Sequence, residues 1–496
     1  MRLSRSFRCS FGAPPPKGRA PARSRGSFGA SPSKGSGSLP RLGRLLRLLV
    51  LAGCAFVGGA CASSLGLGFG GSPRSALGDT PYEAMGQLGR VLVEVENEYV
   101  DPVDRAKLVD GAIKGMVAEL DPHSSYMPAD EYQAFESDTQ GEFGGIGIEV
   151  ENRNDQLVVL APIEDSPAER AGIRSGDLIV SVDGKDPASE PLDKLVKRLR
   201  GAPRSHVKLG VRRGGVADLL TFDLERQIIR VRSVSSRLLV GRVAYVRVKQ
   251  FQERTHDELL EVAARLRAKA GGRLAGIILD LRADPGGLVD QAADVADEFL
   301  EEGIIYTARH RGQIVDEVRA HPGGAFVQEP CVVLVSQWTA SASELVAGAL
   351  QDHKRATIVG ERTFGKGSVQ AILSLPGGAG MRLTISRYYT PSGHAIQADG
   401  VHPDVAVETN KQEAGVSFRE GDLEGHLAAQ TAQGGGALPD KPKRVVVVDV
   451  DGGMSAPDLG GSEAASVPED PAAGGDAVLK VGWQVLRQAM GAPAAP

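Results

Sequence analysis

Residues 331–360 read CVVLVSQWTASASELVAGALQDHKRATIVG. The first six, Cys331-Val-Val-Leu-Val-Ser336, form a short unbroken apolar run of the kind that lies inside a sheet. Ala342 to Asp352 carries apolar residues at helical spacing, and Ala356-Thr-Ile-Val-Gly360 is a second apolar run. Strand, helix, strand in this order is a crossover unit, so the two strands are expected to run parallel. Upstream, Leu274-Ala-Gly-Ile-Ile-Leu-Asp-Leu281 has the same character and ends in Arg282-Ala-Asp-Pro-Gly-Gly287. An α/β fold follows. Parallel strands release their following loops on one side of the sheet, so the loops after Leu281, Ser336 and Gly360 should meet at one edge.

Two of those loops carry chemistry. Thr339-Ala-Ser-Ala-Ser-Glu344 opens the helix, and Thr363-Phe-Gly-Lys-Gly-Ser-Val-Gln370 follows the second strand. A serine hydroxyl is a weak nucleophile that needs a base within hydrogen-bond reach. Lysine can serve only when neutral, and lowering its ordinary pKa of about 10.4 towards 7 costs roughly 4 kcal/mol, which burial would have to supply. The apolar setting around Lys366 is compatible with burial and has no acid near it in sequence after Glu361. Gln370 could hold the ammonium's hydrogens without fixing its charge, as a carboxylate would. The N–H of Ala342, at the positive end of its helix, with one from Gly286-Gly287, could hold a developing oxyanion.

Three other readings compete. Ser341 followed by Glu344 is a capping box, which needs no catalysis. His353 could complete a Ser-His-Asp set with Asp352, but twelve residues of helix put it roughly 18 Å from Ser341, and no G-x-S-x-G elbow occurs. Gly360 to Lys366 fits G-x-x-x-x-G-K, yet Gly367 stands where a nucleotide-binding loop needs a magnesium-binding hydroxyl, and no helix begins at Lys366.

From Gly141 to about Arg226 the pattern changes. Phe143-Gly-Gly-Ile-Gly-Ile148 starts an alternating strand, Ser166-Pro-Ala-Glu-Arg-Ala-Gly-Ile173 a short helix, and Gly176 to Gly184 a strand closed by an Asp-Gly turn. The segment looks like a PDZ domain, with Gly144, Gly145, Ile146 and Gly147 offering N–H groups to a peptide's terminal carboxylate while the peptide joins the sheet edge. The alternative is an ordinary glycine hairpin.

Taken in order, Tyr99-Val-Asp-Pro102, Gly111 to Met116, Leu120-Asp-Pro-His-Ser-Ser-Tyr126, the PDZ-like segment, Asp280-Leu-Arg282 with Pro285-Gly-Gly287, Ala340 to Glu344, Gln351-Asp352, Thr363 to Gln370 and Tyr388-Tyr-Thr-Pro-Ser-Gly393 resemble the carboxyl-terminal processing, or tail-specific, proteases. The resemblance spans about residues 82–409. It implies Ser341 as nucleophile, Lys366 as general base and Gln370 as the residue orienting the lysine. It also implies a crotonase-like α/β peptidase core with an inserted PDZ domain as substrate-sensing gate. One departure is Gln337-Trp338-Thr339, where the family often has Asn, a small residue and Ser.

Composition sets the remaining bounds. A chain of 496 residues has room for two or three domains, and a net charge of −5 predicts no general affinity for nucleic acid. Residues 1–47 are basic, acid-free and rich in Ser, Pro and Gly, so no core is expected there. Leu48 to Gly70 is uncharged and long enough to span a bilayer, with the body outside the cytoplasm. Ala60-Cys61-Ala62 fits a signal-peptidase site, Leu51-Ala-Gly-Cys54 a lipoprotein box, and the whole leader also fits an organelle transit peptide, which would put the body in a plastid lumen. Of four cysteines, three lie in the leader and Cys331 in a strand, so no disulfide is expected in the body.

Residues 78–140 should be a helical cap or dimer arm, with Leu88, Val91, Leu92 and Val95 on one face. PDZ boundaries are set at 141–228 and the peptidase core at 229–409. Beyond Asn410 lies a Gly/Ala/Pro-rich region with an edge-strand candidate at Lys441–Asp449 and a packing helix from Ala477 to Met490. His123 reads as a turn residue, and no histidine has a metal-ligand partner at suitable spacing; neither metal nor cofactor is expected. The sequence thus predicts an exported or membrane-anchored serine endopeptidase acting on proteins with apolar free C-termini, as a homo-oligomer and with an activating partner protein. The competing expectation is a tethering scaffold whose peptidase core is inactive.

Overall fold

The computed structural model describes residues 80–153, 156–187, 190–409, 418–428, 444–448 and 467–491. The basic leader and the apolar run at 48–70 lie outside the described residues. Among those described, no helix is long and apolar enough to cross a membrane. The chain divides into two units, 1–91 and 92–496; the described part of the first is the opening of the helix Pro81–Glu98. That helix buries none of its residues, and Leu88 and Val91 are exposed. Core packing, expected from its apolar spacing, therefore does not account for this face.

The second unit is built on a seven-stranded sheet. Its order is Arg444–Val448, Val405–Thr409, Ala356–Gly360, Cys331–Val335, Gly276–Asp280, Val243–Val248, Val234–Leu239. Every neighbouring pair is parallel except the last. The three strands expected from sequence are adjacent, in the register Ile277–Cys331–Ala356. Period-two alternation sorts their side chains onto two faces. Ile277, Leu279, Val333 and Val335 pack with Leu259, Val262, Val295, Leu345 and Val346 from the helices Thr255–Lys269, Val289–Asp297 and Ala342–Asp352. Ile278, Val332, Leu334 and Val359 face the other way, onto Leu479, Trp483 and Leu486 of the helix Ala477–Ala489.

That last helix moves a domain boundary. The core does not end at 409, because Arg444–Val448 extends its sheet and Ala477–Ala489 covers one face of it. Spacing of three and four residues puts Leu479, Trp483 and Leu486 on one side, and Gly482 allows close approach: a Cβ there would lie 2.6 Å from a Leu334 methyl. Asp476 caps the helix by accepting from the Leu479 N–H and also receives the Arg282 guanidinium at 2.9 Å. Arg282 in turn grips the fully buried Asp280, so the Asp280-Leu-Arg282 motif locks the terminal helix to a central strand end.

A second sheet joins Ser125–Met127, Gly380–Tyr389, Ile304–His310 and Gln313–Arg319, with Ser368–Ser374 also on Gly380–Tyr389. Residues 125–127, assigned from sequence to the helical cap, are thus part of this sheet. The PDZ-like segment has its own five-stranded antiparallel sheet, Ile148–Arg153, Gln156–Pro162, Leu178–Val182, His206–Arg212 and Leu220–Glu225. It also has its own core of Ile146, Leu157, Val159, Ile179, Leu195 and Leu209. The pair Glu142–Gly145 and Gln227–Arg230 closes its root.

Trp483→Ala is expected to cost about 3–5 kcal/mol, read as a lower urea midpoint by far-UV dichroism. An unchanged midpoint would show that the terminal helix is not part of the cooperative core.

Candidate active site

Ser341 sits where the strand Cys331–Val335 turns into the helix Ala342–Asp352, with φ 60° and ψ −121°. A non-glycine residue there costs about 1–3 kcal/mol and is held only by its surroundings. Gly286 supplies one wall: a Cβ on it would lie 2.8 Å from both the Ser341 Cβ and the Ala342 nitrogen. Of the capping box, Glu344 makes its half, accepting from the Ser341 N–H at 2.8 Å, whereas the Ser341 hydroxyl makes no cap bond. The Ser341 hydroxyl instead lies within hydrogen-bond reach of the buried Tyr388 hydroxyl.

Glu344 does more than cap. Its fully buried carboxylate also accepts from the Thr363 hydroxyl at 2.5 Å, the Gly365 N–H at 2.7 Å and the Lys366 N–H at 2.8 Å. One side chain thus ties the serine turn to the lysine loop. Burial pushes its pKa up to about 7 against the pull of these four donors. The Phe364 N–H adds a direct bond to the Thr339 carbonyl at 3.0 Å. The glycines around Lys366 have a steric cause: at Gly367 a Cβ would lie 2.4 Å from the Gln397 nitrogen, and Gly365 has φ 99°.

Lys366 is partly buried, and burial, reinforced by the Arg382 charge, holds its pKa below the usual lysine value. Glu420, Glu344 and Asp121 oppose that shift. The sequence neighbourhood of Lys366 lacked acids; the fold brings three from distant segments. Ser341 and Lys366 are brought to one edge, but among the described residues no hydrogen bond joins them. The Gln370 amide donates to the hydroxyls of Ser368 at 2.9 Å and Thr384 at 3.3 Å, not to Lys366.

The expected oxyanion donors separate. The Gly286 N–H is taken by Asp284 Oδ1 at 2.8 Å, while among the described residues no hydrogen bond takes the N–H of Gly287 or Ala342. In the PDZ-like unit, Gly144 and Gly145 pair with Ile228 and Gln227, and Ile146-Gly147 forms the turn into Ile148–Arg153. No hydrogen bond among the described residues takes the N–H of Ile146 or Gly147, and Ile148–Arg153 is an edge strand of its sheet.

The contacts of Tyr388, His123, Glu420 and Asp284 are not legible in the sequence. Tyr388, fully buried, donates its hydroxyl to the Lys366 carbonyl at 2.5 Å. His123 sits 2.8 Å from the buried Glu420, to which Gln397 also donates at 2.7 Å. His123 is thus a hydrogen-bond partner of Glu420 as well as a turn residue, and Glu420 comes from the region in which no chemistry is expected from sequence. Asp284 was passed over as part of a glycine loop. Only its position two residues before Gly286 could have signalled it.

Comparison with known proteins agrees with this architecture. Residues 242–407 match the model of peptidase family S41, residues 158–213 a PDZ domain, and residues 74–131 the N-terminal domain of the activating protease CtpB. A carboxy-terminal-processing protease of Bartonella bacilliformis is 39% identical over 412 residues, 82% of this chain and 89% of its own. The carboxy-terminal processing protease CtpA of Bacillus subtilis is 34% identical over 341 residues, 68% of this chain and 71% of its own. Among solved structures, a photosystem II D1 C-terminal processing protease aligns over 65% of this chain and 87% of its own at 33% identity, with TM-score 0.40. The family-model matches and the Bartonella relative define a serine-type peptidase with a PDZ domain. The chain belongs to the carboxy-terminal processing proteases of peptidase family S41.

Glu344→Gln replaces an acceptor-only group with an amide that turns two N–H groups towards existing donors. A displacement of the serine and lysine by about 1 Å should lower kcat about 10²-fold. Stability gives an independent check. The folded-state pKa of about 7 lies above the unfolded value of about 4.3. Glu344's contribution to stability is therefore full below about pH 4 and lost as pH rises to about 7. Wild type should lose melting temperature relative to Glu344→Gln across that window, and parallel curves would refute the assignment.

Proposed function

We propose that this chain is a serine endopeptidase that captures the free C-terminus of a protein through its PDZ domain and cleaves nearby through an acyl-enzyme. The observation that carries this reading is the Glu344 carboxylate, which holds the backbones of Ser341 and Lys366 together. Neutral Lys366, favoured by its lowered pKa, takes the Ser341 proton as Oγ attacks the scissile carbonyl carbon. The oxyanion is received by the Gly287 and Ala342 N–H groups. Collapse expels the amine, which takes the proton from the Lys366 ammonium, and water releases the acyl group by the same steps in reverse.

The serine–lysine hydrogen bond forms in the working state, as does the contact of Gln370 with the ammonium, for which its amide leaves Ser368 and Thr384. The peptide tail adds to the Ile148–Arg153 edge, its carboxylate against the Ile146-Gly147 turn. Apolar side chains from the tail would extend the unit's own core, and tail binding is the event that closes the lysine loop. The core is of crotonase-like type, the helix Pro81–Glu98 is an arm for a second copy or an activating partner, and the 48–70 run delivers the body outside the cytoplasm.

The test is mass spectrometry of an unstructured protein with an apolar tail, beside the same protein with a charged tail. Wild type should degrade only the first. Ser341→Ala and Lys366→Ala should each lower cleavage at least about 10³-fold while still binding the tail peptide. Equal cleavage of both tails would overturn C-terminal recognition, and full activity in Ser341→Ala would overturn the mechanism.

A further inference from the structure

Asp284 is fully buried between the strand end at Leu281 and the glycines of the oxyanion loop. Its Oδ1 accepts the Gly286 N–H at 2.8 Å, and its Oδ2, also buried, has no hydrogen-bond partner. Its own backbone carbonyl accepts the Ala340 N–H at 3.0 Å and the Ser343 hydroxyl at 3.2 Å. Asp284 is therefore wired to the residues on both sides of Ser341, and through Gly286 to the wall against which Ser341 packs. A carboxylate with one oxygen buried and unpartnered is a poor anion, because the missing donor leaves its charge uncompensated. A carboxylic acid at the same place keeps the Gly286 bond and adds no charge.

We propose that Asp284 is a positioning residue that works as a neutral carboxylic acid: protonated, it fixes the Gly286-Gly287 loop against Ser341, and ionised it disables the oxyanion site. This rests on the reading of Ser341 as the nucleophile. The reason is electrostatic. Acylation creates a negative oxygen at the Gly287 and Ala342 N–H groups, and an anion one hydrogen bond away on the same loop, in a site screened from water, opposes that charge. Burial pushes the Asp284 pKa up to about 8, against the Gly286 N–H, the Ser343 hydroxyl and the positive charge of Arg247 from the strand Val243–Val248. Arg247 is the charged group that bears on it; Gly286, Ala340 and Ser343 are neutral. The consequence is a bell-shaped profile. Its alkaline limb is the loss of the Asp284 proton, and its acid limb the protonation of Lys366, whose pKa burial lowers. Tyr388 and Cys331 are held too high to cause that fall, Cys331 at about 12.

The experiment is kcat/KM for hydrolysis of an apolar-tailed peptide from pH 5.5 to 10, for wild type, Asp284→Asn and Ser341→Ala. Wild type is expected to fall about tenfold from its maximum by pH 9.5. Asp284→Asn, which keeps an acceptor for the Gly286 N–H and cannot ionise, should retain the acid limb and lose the alkaline fall, whatever its absolute rate. An alkaline limb unchanged in Asp284→Asn overturns the proposal while leaving the peptidase reading intact; activity in Ser341→Ala overturns that reading instead. Should Asp284→Asn not fold by circular dichroism, wild type alone decides. Its affinity for a peptide aldehyde, which forms a Ser341 hemiacetal, should drop about tenfold between pH 7.5 and 9.5, with no drop for the matching peptide alcohol. Parallel behaviour of aldehyde and alcohol overturns the proposal.

Discussion

A single buried carboxylate sets the geometry of the site. Glu344 accepts four hydrogen bonds, from Ser341 in the turn before its own helix and from Thr363, Gly365 and Lys366 in the loop after the next strand. Those groups lie on either side of a crossover, so no local propensity could hold them in register. Removing the carboxylate would leave buried N–H donors unsatisfied, each at about 1–3 kcal/mol. The strained φ of Ser341 and the glycines at 365 and 367 follow from the same requirement: backbone has to approach backbone closely enough to be tied by one side chain.

Burial then does the electrostatic work. The site holds three ionisable groups away from their ordinary states, and desolvation is the leading cause for each: Glu344 and Asp284 are pushed up, Lys366 down. Each shift is towards the neutral form of its group, because burial penalises the charged one. Asp280 contrasts with them. It is equally buried, but Arg282 and the Tyr245 hydroxyl satisfy it, and its pKa stays low. Two carboxylates four residues apart thus differ in charge because one has donors on both oxygens and the other does not.

The architecture separates holding from reacting. The PDZ-like unit has a core of its own, separate from that of the sheet that carries Ser341. The lysine loop leads into the second sheet, which also contains Ser125–Met127 from the N-terminal side. Through His123 and Glu420, segments 297 positions apart in sequence are joined beside Lys366. Movement of the N-terminal segment or of the region around Glu420 therefore bears on the electrostatics of the lysine, a coupling carried by packed side chains and not by sequence proximity.

The sequence by itself determined the parallel strands, the crossover helix, the PDZ-like segment and the pairing of a serine turn with a lysine loop. Apolar runs of strand length, helical spacing after Ser341 and glycines at fixed offsets are local signals, and local chemistry imposes them. It also indicated the terminal helix, since Leu479, Trp483 and Leu486 repeat at helical spacing. Only the tertiary structure decided that this helix covers the peptidase sheet, that Glu344 is a hub as well as a cap, and that the Gly286 N–H is spent on Asp284 while no hydrogen bond among the described residues takes that of Gly287. It also brought Asp121, Glu344 and Glu420 around a lysine whose own neighbourhood is nearly free of acids. The physical reason is common to all of these. Burial, and the competition among donors for one carboxylate, depend on which distant segments pack together, and no window of sequence contains that sum.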